Sequence, residues 1–307
     1  MPVRVSLIGV PTDIGASVRG AGMGPDALRV ADLAEAIARH GPVVQDLGDL
    51  VGPANPSQPP ADGFRHLDQV VAWNRLVHDA VLAALRRDTL PVVLGGDHSI
   101  GIGSIAAVAR HCRERRRPLR VIWLDAHADC NTPEITPSGN LHGMPVACLF
   151  GLGPPELTGL AGGPGTGPAL RPEQFRQIGV RSVDVREKQL VHQLGLDVFD
   201  MRTIDEFGMR HVMTQALTQL EDDAHLHVSF DADFLDPAIA PGVGTDVQGG
   251  PTYREAQLCM EMIADSGRLG SLDLVELNPA RDVRNRTAEL MVDLTESLFG
   301  KSTLMRR

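Results

Sequence analysis

The chain has 307 residues, 43% of them hydrophobic and only 4% aromatic, which is enough apolar material for one large core or two modest ones. Its formal net charge of -10, from 39 acids against 29 bases, argues against a general nucleic-acid binder, while a local acid cluster could be neutralised by bound cations. The four cysteines, Cys112, Cys130, Cys148 and Cys259, show no paired spacing, the N-terminus is too short and polar for a signal peptide, and no apolar stretch approaches a membrane span; the expectation is a cytoplasmic protein with free thiols and no membrane or nucleic-acid partner.

In chain order, residues 3–10 form the first predicted strand. The amphipathic stretch 25–39 follows as a helix, then 43–46 as a strand and 66–86 as a second helix. Residues 91–94, 119–124, 177–180 and 226–230 read as further strands, 253–265 as a helix and 272–277 as the last strand. These strand runs are continuously apolar rather than alternating, which suits strands covered on both faces. Alternating strands and helices mean an α/β fold with a central parallel sheet. Residues 151–172, rich in Gly and Pro, read as a surface loop within one domain spanning 1–307. The basic run at 113–117 with Arg120 ends a helical pattern, where cations are favoured by the helix dipole, and reads as a solvated face.

Acids and imidazoles fall where four of these strands end. Gly95-Gly96-Asp97-His98 follows 91–94, Asp125-Ala126-His127-Ala128-Asp129 follows 119–124, Asp231-Ala232-Asp233 follows 226–230, and Glu276 follows Val275. Ligands of open parallel sheets bind beyond the carboxyl ends of the strands. In an extended chain residues i, i+2 and i+4 face one side, so Asp125, His127 and Asp129 can converge, as can Asp231 and Asp233. Four crowded aspartates would repel one another, and divalent cations remove that conflict. Six ligands, His98, Asp125, His127, Asp129, Asp231 and Asp233, exceed one ordinary site and suit two ions about 3.5–4 Å apart. Mixed oxygen and nitrogen ligation without thiolate favours Mn²⁺. Asp97 reads either as a cap or as a support for the ligands.

The motifs GGDHS at 95–99, DAHAD at 125–129, SFDADFLDP at 229–237 and ELNP at 276–279 together resemble the arginase (ureohydrolase) family over residues 8 to about 300. Asn131-Thr132, the run from Ser138 to Gly143, Gly244-Thr245 and Gly249-Gly250 are similar to its bacterial arginase branch. The resemblance implies a three-layer α/β/α domain and hydrolysis of L-arginine to L-ornithine and urea. It implies two Mn²⁺ per subunit, one held by His98, Asp125, Asp129 and Asp231 and the other by His127, Asp125, Asp231 and Asp233. It also implies a homo-oligomer, a trimer or hexamer.

On that reading a metal-bridging hydroxide attacks the guanidinium carbon. Asp129 would accept the hydroxide's hydrogen bond and pass the proton to the departing amine. Glu276 would orient the guanidinium, and His142 would shuttle protons. Asn131, Ser138 and Asn140 would supply donors to the substrate carboxylate, Asp184 and Glu187 would pair with its ammonium, and Thr245 would complete the substrate pocket. Cys130, Ser182, Val185-Arg186 and Asp246 depart from the expected pattern and bear on the amino-group contact. The alternatives are another ureohydrolase, acting on agmatine or a guanidino acid, and a non-catalytic regulatory relative. A single-metal deacetylase-like site would not need all six ligands.

Overall fold

A computed structural model of the chain describes residues 2–56, 64–162 and 167–304. Eight strands form one sheet: β1 (Arg4–Gly9), β2 (Val43–Asp49), β3 (Leu90–Leu94), β4 (Leu119–Leu124), β5 (Phe175–Val180), β6 (Asp197–Asp200), β7 (His225–Asp231) and β8 (Leu269–Val275). The order across the sheet is β2-β1-β3-β8-β7-β4-β5-β6, and every pairing is parallel. β3, β4 and β7 are buried along their whole length, as their apolar runs require. β2, at one edge, is largely exposed and carries Gln45, Asp46 and Asp49.

Helices cover both faces. One apolar cluster joins Leu28, Ile37, Val212, Met260 and Met291 to sheet residues such as Leu94, Ile122, Val228 and Leu274. The other joins Val77, Val81, Ile105, Val108 and Val146 to Ile8, Val93, Val121 and Trp123. On this second side β7 presents His225, His227 and Ser229 at alternate positions, and β8 presents Ser271 and Asp273 beside them, all buried.

The structure departs from these expectations in four places. The helix expected over 25–39 is two helices, Gly24–Val30 and Leu33–Ala38, because Asp32 takes a left-handed conformation at φ 60° between them. The last strand begins earlier and stops at Val275, where Glu276 turns left-handed at φ 61°. β6 was not foreseen: Asp-Val-Phe-Asp offers too short an apolar run to register as a strand. Within the stretch expected as a loop, Pro155–Thr158 is helical and residues 163–166 lie outside the described residues.

Candidate metal centre

β3, β8, β7 and β4 are neighbours in the middle of the sheet, so the segments leaving their carboxyl ends meet at one place. Each ligand-bearing segment departs from the extended path at once. Asp129 is left-handed at φ 51°, and residues 232–234 form a single 3₁₀ turn. Simple strand alternation therefore describes Asp125 and His127 but not Asp129 or Asp233, which turns bring round instead. The loop at His98 packs against the chain near Thr12 so closely that a Cβ on Gly96 would lie 1.6 Å from the Thr12 carbonyl oxygen. Only glycine fits there.

Nδ1 of His98 stands 3.0 Å from Asp231 Oδ2, 3.2 Å from Asp125 Oδ2 and 3.3 Å from Asp129 Oδ2. Three carboxylates thus converge on a nitrogen that has at most one proton to give. Ligand atoms of His98, Asp125 and Asp129 lie within 4.8 Å of one another, and so do those of Asp125, His127 and Asp233. Asp125 belongs to both groups. His127 Nδ1 is 3.0 Å from Asp233 Oδ2.

The remaining lone pairs are tied to fixed donors. Trp123 Nε1 donates to Asp125 Oδ2 at 2.8 Å, and the His127 main-chain N–H donates to Asp125 Oδ1 at 2.7 Å. The N–H of Asp233 donates to Asp231 Oδ1 at 2.7 Å. Thr245 Oγ1 donates to Asp233 Oδ2 at 3.2 Å. His98 Nε2 meets Ser229 Oγ at 2.8 Å, which orients the ring with Nδ1 toward the carboxylates. Asp97 is a brace: its carboxylate accepts from the N–H groups of Ser99 and Gly15, both at 2.9 Å.

The electrostatics show the same conflict. Burial, reinforced by the Asp125 charge, pushes Asp129 up to about 7. Burial and Asp233 push Asp231 well above the carboxylate range. Burial opposes ionisation of Asp125, but hydrogen bonds from His127 and His98 outweigh it and hold that carboxyl far down. The imidazoles answer in kind: despite burial, the Asp233 and Asp125 carboxylates raise His127 to about 12, and the surrounding carboxylates raise His98 as well. Without metal, protons stand where divalent charge would resolve the repulsion. The two groups hold two imidazoles and three carboxylates, with Asp125 common to both, and Asp231 adds a fourth carboxylate beside His98; this set fits a pair of divalent ions. Neither group contains a cysteine, and burial and the nearby Glu187 raise the thiol of Cys130.

A cavity opens onto this cluster. His127, Asp129, Asp231, Asp233, His142 and Glu276 line it with Asn131, Ser182, Asp184, Glu187 and Thr245. Glu276 Oε1 accepts from the His98 N–H at 2.8 Å and lies 2.9 Å from His142 Nδ1. Burial works against charge on His142, but the Glu276 carboxylate outweighs it and raises the imidazole to about 9. Glu187 accepts the N–H groups of Cys130 and Asp184 with its two oxygens, at 2.8 and 3.1 Å, so it braces the loop as well as lining the cavity. Asn131 spends Nδ2 on Asp184 Oδ2 at 3.2 Å. Ser138 and Asn140 are not among the lining residues: Ser138 is exposed, and Asn140 Nδ2 donates to Ser17 Oγ at 2.6 Å. Sequence reasoning missed the supporting roles of Trp123 and Ser229. Their only signal was position, since both lie on strands that end in ligands.

The model of the arginase family matches residues 3–300. Arginase from Bacillus caldovelox is 44% identical over 303 residues, covering 98% of this chain and 99% of its own. Arginase from Bacillus subtilis is 43% identical over 305 residues, covering 99% of this chain and 100% of its own. The crystal structure of arginase from Bacillus cereus superposes with a TM-score of 0.90 at 42% identity, over 98% of this chain and 100% of that one.

Proposed function

The chain belongs to the arginase family of hydrolases, and from that premise we propose that it is a two-manganese enzyme converting L-arginine and water to L-ornithine and urea. The observation that carries this reading is Asp125, common to two separate groups of ligand atoms within one buried cluster at the mouth of a cavity. His98, Asp125, Asp129 and Asp231 would hold one Mn²⁺, and His127, Asp125, Asp231 and Asp233 the other. When bound, the two ions supply the positive charge that makes a water nucleophilic near neutral pH.

The protein's own groups do the rest. Glu276 pairs with the substrate guanidinium through charge-assisted hydrogen bonds and presents its carbon for attack. Asp129 takes the proton lost by the attacking water and hands it to the chain nitrogen as the carbon–nitrogen bond breaks. His142, already linked to Glu276, exchanges protons between the departing amine and solvent. Asp184 and Glu187 take the ammonium end, with Thr245 beside Asp233. Asn131 supports the carboxylate end, and Ser138 and Asn140 belong to the same loop, whose His142 and Gly143 line the cavity. A single catalytic unit over 1–307, assembled as a cytoplasmic trimer or hexamer, completes the reading; no described helix is long and apolar enough to cross a membrane.

Urea release from L-arginine, agmatine and guanidino acids, measured with the metal content of the same protein, tests it. Two manganese ions per chain and a preference for arginine over agmatine of at least roughly 100-fold in kcat/KM are expected, since a site built to hydrogen-bond a group rejects an analogue lacking it. Full activity with one ion overturns the two-metal reading, and equal use of agmatine overturns the substrate.

A further inference from the structure

At the opposite end of the sheet, where β4 and β5 begin, lies a second cavity of about 630 Å³. Arg113, Arg116, Arg117 and Arg171 line it, against the single carboxylate of Glu221. Of the nearby cations outside the cavity, Arg86 and Arg110 pair with Glu114 and Arg115 with Asp88, while Arg120 donates to the carbonyls of Ala216 and Thr218. Within it only Arg171 is paired, with Glu173. Arg113 donates to the carbonyls of Ala161 and Ala169, and Arg117 to those of Asp223 and Ala224. Arg116, left-handed at φ 53° just past the helix end, meets no carboxylate among the described residues, and neither do Arg113 and Arg117. Carbonyl bonds hold a guanidinium in place without cancelling its charge.

The helix dipole accounts for Arg113 and Arg115, which sit in the last turn of the helix Gly101–Arg115. It does not account for Arg117, beyond that turn, or for Arg171, which comes from the approach to β5. Three guanidiniums without a carboxylate in a chain of net charge -10 form a basic cavity whose charge a single monoanion would leave largely uncompensated. The volume lies within the range of about 300–1,000 Å³ usual for small-molecule sites. Ala109, Pro118, Leu119 and Pro168 give it an apolar wall.

We propose that this cavity binds a small polyphosphate-bearing anion, of the nucleoside di- or triphosphate class, at a site remote from the metal centre. The guanidinium forks take phosphate oxygens in pairs, and the apolar wall takes the base.

The test is calorimetric titration of the manganese-loaded protein with ADP at fixed ionic strength, with Mg²⁺ in excess so that nucleotide does not strip the metal centre. One site per chain with a Kd below about 1 mM is expected. Arg113→Gln with Arg117→Gln should weaken binding at least about tenfold, as should the exposed substitution Arg116→Gln, which is chosen to spare the fold. Arg86→Gln, outside the cavity, should leave it unchanged, and saturating L-ornithine should not compete. No saturable binding, equal affinity in the arginine variants, inorganic phosphate binding as tightly as ADP, displacement by ornithine, or tighter binding of an RNA oligonucleotide would each overturn the proposal.

Discussion

Trp123 lies flat on the imidazole of His98, with ring centroids 4.0 Å apart and planes 9° from parallel. The same indole donates through Nε1 to Asp125 Oδ2. One buried side chain on β4 thus fixes two ligands on different strands, stacking on one and hydrogen-bonding to the other. Trp123→Phe keeps an aromatic ring but deletes the donor. Manganese affinity should fall about 10- to 100-fold, as it does when outer partners of ligands are removed. Metal titration of the purified variant checks this, and unchanged affinity would relegate Trp123 to packing.

Metal uptake should release protons. The carboxylates that surround His98 and His127 raise both imidazoles, and Asp129 and Asp231 are raised by burial, so protons must leave before metal can bind. At pH 7.5 at least about two protons per chain should appear in solution as both ions bind, and apparent affinity should rise with pH. Calorimetry in buffers of different ionisation enthalpy counts them. Proton-neutral binding would contradict the charge balance described above.

His142 gives the metal-free protein a pH-dependent contribution to stability. The Glu276 carboxylate, acting against burial, raises it from the ordinary 6.5 to about 9. Because the folded value lies above the unfolded one, the contribution is complete below pH 6.5 and is lost as pH rises through 9. His142→Gln should therefore show a flatter decline of Tm over that interval than the wild type. Parallel Tm curves would mean that the His142–Glu276 pair carries no such coupling.

Glu187 separates two kinds of role. Its two oxygens accept main-chain N–H groups on either side of the cavity wall. Glu187→Gln turns an amide NH₂ toward one of these donors and should cost about 1–3 kcal/mol, seen in denaturant unfolding. If stability holds while KM for arginine rises at least roughly tenfold, about 1.4 kcal/mol, Glu187 acts on substrate and not as a brace.

The central strands were legible because burial on both faces forces continuous apolar runs, and the cluster of acids and imidazoles was legible because those residues stand at the ends of such strands. Other features have no signature in residue type. The left-handed turns at Asp129 and Glu276 are imposed by tertiary packing, and neither residue is the glycine that usually announces such a turn. β6, an edge strand bounded by aspartates, is supported by pairing with β5 and not by its own composition. Asn131, Ser138 and Asn140 look equivalent as loop donors, yet only Asn131 lines the cavity. The arginines at 113–117 read as a solvated helix end, and nothing local foretold that residues near 170 and 221 would enclose them.

The sheet order also bears on how the protein comes into being on the ribosome. β8, the last strand in the chain, is inserted between β3 and β7. Until it emerges, no strand of β2-β1-β3 can pair with a strand of β7-β4-β5-β6. His98 belongs to the first group, and Asp125, His127, Asp129, Asp231 and Asp233 to the second. A nascent chain halted before Leu269 therefore carries all six candidate ligands on two sets of strands that no sheet pairing joins. The closing step joins segments far apart in sequence, which makes it slow and leaves two unpaired strand edges exposed while it waits.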